Sequence, residues 1–229
     1  MKNKMLNILS KISMILFLLA VPFLFYGFGR ETFFILKEIS LSDSRWIFFI
    51  IGFITFFPIQ FLASRLFYGL WCYLQTLEHE LTHLIIGLIF FKIPTGIRVT
   101  AHEGGEVRQT GRGTTGQTWI SLAPYFFPTV SLAIIIFSYF LEIKTDILLS
   151  LLGWSTAFHL ISNWTQTSFR QTDLQDAGIV KTILILPIMN LICYGSILAF
   201  VEKGSSGFFE FWVESLRGAF EFAVRVTMK

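Results

Sequence analysis

Two histidines four residues apart bracket a glutamate in the run His79-Glu80-Leu81-Thr82-His83. On a helix, residues at this spacing share one face, so both imidazoles can reach a single metal ion. Glu80 stands beside them as a candidate general base for a water at that ion. The surrounding segment, from Leu66 to Phe91, is otherwise apolar enough to lie in a membrane. A charged group at the bilayer centre costs roughly 2.5–3.5 kcal/mol on insertion scales. Ionisable groups survive in such a setting where they pair, bind an ion or line a wet cavity. The setting therefore favours a metal site over histidines that merely hydrogen-bond inside a helix bundle.

Two imidazoles leave a catalytic zinc one ligand short, because such sites take three protein ligands and keep a position open for water. His102, His159, Asp173 and Asp176 are the candidates for the third. Asp173 lies in Thr172-Asp173-Leu174-Gln175, which also reads as a capping box with Thr172 as N-cap and Gln175 reaching back. Asp176 is three residues on and shares the same helical face. His159 forms a polar stripe with Thr156 and Asn163 at helical spacing. That stripe is expected to face the bundle interior, with His159 and Asn163 supporting the site or facing a substrate rather than binding metal. His102 reads as a loop residue.

The elements that must position these groups follow from composition. The chain has 229 residues, 54% of them hydrophobic and only 14% charged, with 27 Phe. That is the make-up of a polytopic membrane protein, with no room for a separate soluble domain. We expect an all-α fold of about six transmembrane helices, near residues 12–29, 46–63, 66–91, 118–141, 146–163 and 177–201. The first follows Lys2, Lys4 and Lys11 and reads as a retained span, since its apolar run is long and no small-residue cleavage motif follows. The division is an N-terminal transmembrane hairpin (1–65), a membrane core (66–201) and a C-terminal amphipathic helix (202–229).

Strand character is confined to 96–110. Two extended arms around Gly104-Gly105 read as a β-hairpin with a tight turn. Its open edges, carrying Val99, Ala101 and Val107, could take an extended substrate as an added strand. Residues 111–116 read as a flexible connection, and Pro124 and Pro128 predict a kink or break in the span that follows. In the tail, Phe209, Trp212, Leu216, Phe220 and Ala223 recur on one face and Glu210, Glu214, Arg217, Glu221 and Arg225 on another. Such a helix lies on the membrane surface or packs on the protein's own rim. Cys72 and Cys193 sit in apolar segments and read as ordinary helix residues. A net charge of +3 spread thinly excludes a nucleic-acid surface. Orientation stays open. The N-terminal lysines and the basic hairpin both favour the cytoplasm, yet two full spans before residue 66 and a third carrying the motif would put them on opposite sides.

Taken together, His79-Glu80-Leu81-Thr82-His83 in an apolar segment, a glycine-containing hairpin, a proline-bearing span and a later aspartate resemble the site-2 protease group of M50 and M50B-like intramembrane zinc metalloproteases. The resemblance covers about residues 66–200. It implies a Zn²⁺ cofactor held by His79, His83 and a later aspartate, with Glu80 as catalytic acid and base. It also implies hydrolysis of membrane-embedded protein substrates. The aspartate of that group usually stands in a Leu-Asp-Gly setting; here Thr172-Asp173 is closer to the plainer M50B-like branch, which favours Asp173 over Asp176. The expected location is integral and multi-pass, in the plasma membrane of a bacterium. The competing reading is a non-proteolytic multi-pass membrane protein whose metal site is structural or regulatory.

Overall fold

The computed structural model describes residues 2–101, 104–110, 116–167 and 171–228. It is mostly helical with one small sheet. Helix α1 covers Lys2–Lys37, α2 Ser44–Leu66 and α3 Tyr68–Ile89. Strands β1 (Ile93–Val99) and β2 (Gly105–Thr110) follow. Then come α4 (Gln117–Leu122), a single 3₁₀ turn (Ala123–Tyr125), α5 (Thr129–Ser138) and α6 (Thr145–Gln166). A short α7 (Thr172–Ala177) leads into α8 (Ile179–Lys203) and α9 (Ser205–Thr227).

By length and apolarity, α1, α2 and α8 can each cross a bilayer, and α4 with α5 makes a fourth if the bent pair counts as one span. The expected six is therefore not reached on these criteria, since α3 and α6 are not among the helices that meet them. The bent pair turns by 86°. Pro124 lies in the 3₁₀ turn and Pro128 is the N-cap of α5, so neither position can continue the helical ladder.

The main core joins α1, α2, α6, α8 and α9 around Phe28, Trp46, Leu149, Leu152 and Ile197. Close approach of α2 and α6 depends on Gly52 and Gly153, whose hydrogens face the Ser150 and Phe49 carbonyls; a Cβ at either would come within 2.0 Å. A second core under the candidate site joins Ile86, Ile120, Leu122, Leu174 and Ile185, with Phe17 of α1 edge-on to Trp119.

Two local expectations are corrected, and an open one is decided. The hairpin pairs Val99 with Gly105, so Gly105 belongs to strand β2 rather than to a tight Gly104-Gly105 turn. Gly104 supplies the left-handed residue, at φ 80°, and its carbonyl accepts from the Thr100 N–H and hydroxyl. Ala101 then falls outside both strands and not on a strand edge. Second, Gln171, not Thr172, is the N-cap of α7, and no side chain caps it. Of the two placements open to α9, the helix takes the packed one. It packs antiparallel to α1, with Phe211 against Phe28, Ser215 and Ala219 against Gly27, and Phe222 stacked on Tyr26. The buried side is built from Phe211, Ser215, Gly218 and Ala219, while Phe209, Leu216 and Phe220 are exposed.

Candidate metal centre

Helix α3 buries one polar face in an apolar setting: Glu78, His79, Glu80, Thr82 and His83 are all almost fully enclosed. The i, i+4 spacing brings the His79 and His83 ring centroids to 4.9 Å. Nε2 of each imidazole lies 3.3 Å from Oδ2 of Asp173. One ligand atom from each of the three residues lies within 4.8 Å of the others.

Each ligand is oriented by a neighbour. Nδ1 of His83 sits 2.8 Å from the Ile120 carbonyl. A carbonyl can only accept, so the ring proton is on Nδ1 and Nε2 keeps its lone pair toward Asp173. The edge of Tyr125 meets His79 at 5.4 Å between centroids. Thr82 donates to or accepts from Thr129 at the start of α5, tying α3 to the broken span. An anionic carboxylate and two imidazoles with inward-facing nitrogens form a donor set suited to Zn²⁺.

The hairpin closes over this site. A Cβ on Gly105 would come within 2.4 Å of Glu80 Cγ, so β2 lies directly on the glutamate and a larger residue there would displace the Glu80 side chain. The Gln109 amide donates to the His83 carbonyl at 2.9 Å and fills the space beside Gly87. A cavity of about 440 Å³ carries Glu80, His83, Asp173 and Asp176 on its walls, with Gly105, Glu106, Val107 and Gln109 of β2 opposite. A second, of about 780 Å³, reaches His79, Glu80 and Asp173 from the side of Gln60, Ser64 and Tyr68.

Of the residues singled out in the sequence, the fold thus gathers His79, Glu80, His83 and Asp173. Asp176 lines the same cavity but is outside the three-residue cluster. His159 and Asn163 stand behind α3, hydrogen-bonded to Glu78 and the Tyr125 carbonyl, and do not meet the cluster. Val107 is on the cavity wall; Val99 and Ala101 are not among its lining residues. His102 lies outside the described residues. Glu78, Gln109, Tyr125 and Gln171 were not singled out, and Gly105 only as part of the hairpin turn. Only Glu78 carried a signal, as a further ionisable group in the same apolar segment.

Compared with families of known proteins, residues 54–169 match the family described as Peptidase M50B-like. The match includes the His79–His83 run and ends before Asp173. No curated protein and no solved structure matches.

Proposed function

Since this chain belongs to the M50B-like peptidase family, we propose that it is an intramembrane zinc metalloprotease that hydrolyses peptide bonds of membrane-embedded proteins. The observation that carries this reading is the convergence of His79, His83 and Asp173 within 4.8 Å, with Glu80 on the wall of the same cavity. His79, His83 and Asp173 would hold the ion. When bound, zinc supplies Lewis acidity, bringing the pKa of a water toward 7 and polarising the scissile carbonyl. The Glu80 carboxylate takes a proton from the attacking water and passes it to the leaving amine. Gly105 and the hairpin shield Glu80 from bulk solvent, while the two cavities give water and substrate a route to it. An extended substrate segment fits along β2, since the cavity wall on the hairpin side is made of that strand alone.

Replacing Glu80 by Gln tests the reading. The purified variant should keep its zinc and lose cleavage of a membrane-embedded substrate by about 10²–10⁴-fold, the usual worth of a general acid–base group. A non-proteolytic metal site would lose little from this change. Retained cleavage would remove Glu80 from the chemistry.

A further inference from the structure

Glu78, one residue before His79, takes no part in the chemistry above, yet its carboxylate is buried. Glu78 is 6% exposed and His159 1%. Nδ1 of His159 lies 3.0 Å from Oε1 of Glu78. The neighbours decide where the proton sits. Nδ2 of Asn163 is 3.1 Å from the Tyr125 carbonyl and 3.1 Å from Nε2 of His159. The carbonyl can only accept, so the amide presents its NH₂ group to it, and that group also donates to Nε2. The His159 proton is therefore on Nδ1, donated to Glu78. Asn190 donates to the same Tyr125 carbonyl at 3.1 Å and to the Leu186 carbonyl at 2.9 Å.

Tyr125 is the joint of this network. Its backbone lies between Pro124 and Pro128, where the helical ladder is broken and its carbonyl is free to accept. Its ring stands against His79, and its hydroxyl donates to Oε1 of Gln171, two residues before Asp173. Backbone freed by the break is thus held by two asparagines, and the side chain bridges His79 and the segment that leads into Asp173.

We propose that Glu78 and His159 form a positioning pair for the metal centre, acting through Asn163 on Tyr125. The pair locks the amide of Asn163. Asn163 and Asn190 hold the Tyr125 carbonyl. Tyr125 then sets the spacing between the His79 ring and the segment bearing Asp173. None of these groups touches the metal position or a substrate. The proposal rests on the metal-site reading above, and outer partners of metal ligands typically set affinity by about 10–100-fold.

The test uses the purified full chain and three readouts: zinc affinity by chelator competition, the visible spectrum after Co²⁺ replacement, and the unfolding temperature without metal. Asn163→Leu cuts the link while leaving Glu78 and His159 paired; His159→Ala removes the pair. Both should bind zinc about tenfold or more weakly and shift the Co²⁺ bands. Glu78→Gln keeps the acceptor for His159 and should bind zinc as the parent does. If His159→Ala fails to fold, Asn163→Leu decides. Parental zinc affinity and an unchanged Co²⁺ spectrum in Asn163→Leu would overturn the proposal, whatever happens to the unfolding temperature. A parent chain that binds zinc but cleaves nothing sinks the protease reading alone, because this series is read without substrate.

Discussion

A single backbone carbonyl does much to define the chemistry of His83. By accepting from Nδ1, Ile120 leaves Nε2 unprotonated and aimed at Asp173, which is the state a metal ligand requires. Asp173 meets both imidazoles at 3.3 Å through one oxygen, whereas Asp176 is directed to the cavity wall without joining them. Removing a true ligand should therefore be distinguishable from removing a cavity acid. We expect His83→Ala and Asp173→Ala to lose bound zinc and Asp176→Ala to retain a full equivalent, measured by elemental analysis of gently extracted protein. Full zinc in Asp173→Ala would assign the third ligand elsewhere. The capping-box pattern around Asp173 was legible but gave the wrong role to Thr172. The Gln171 side chain is drawn away to Tyr125, and that contact comes from an element 46 residues distant.

At the scale of elements, the hairpin is the part most closely fitted to the site. Gly105 rests on Glu80 and Gln109 is bonded to the His83 carbonyl, so β2 is clamped along α3 at two points. Helix α3 ends by a left-handed Phe91, at φ 57°, with the Lys92 N–H bonded to the Gly87 carbonyl; this closure turns the chain back over the helix. If substrates add along β2, a proline at Val107 should slow cleavage and leave zinc content unchanged, because it removes a main-chain donor without touching a ligand. Turnover at the parental rate in Val107→Pro would count against strand addition. The existence of two strands was readable from their composition around the glycines. Their register was not: it depends on Thr100 closing onto Gly104, and on the contacts of β2 with α3.

For the whole molecule, α3 meets α2, α4, α5 and the hairpin, and cavities open along it toward both of its ends. The cavity by Tyr68 and the cavity by Lys92 share Thr172 and Asp173, so both ends of α3 open onto the one connection between α6 and α8. Met14, Phe17 and Leu18 of α1 pack beside α4 and α7. At the far end of α8, Arg45 donates to the Val201 carbonyl and Tyr139 to Ser205. The N-terminal lysines and the basic hairpin each favour the cytoplasm, so a cytoplasmic catalytic end is the orientation to test. In a background lacking Cys72 and Cys193, we expect Leu41→Cys to react with a membrane-impermeant maleimide in intact cells. Arg98→Cys should react only after permeabilisation, and the reverse pattern would invert this orientation.

The sequence by itself determined the membrane class, the paired imidazoles with their glutamate, the presence of a hairpin and the break at Pro124 and Pro128. Each of these is a property of residues near one another in the chain, through side-chain periodicity or a lost backbone donor. Tertiary structure alone decided what spans long separations. Asp173, 94 residues from His79, comes to the imidazoles only because α6 and α8 place α7 there. Glycine at 27, 52 and 105 lets backbones meet without announcing which partner will arrive. Periodicity shows which face of a helix is apolar or polar, but the choice of neighbour is made by packing, and for α3 that choice brought its polar face against Asp173 and the hairpin.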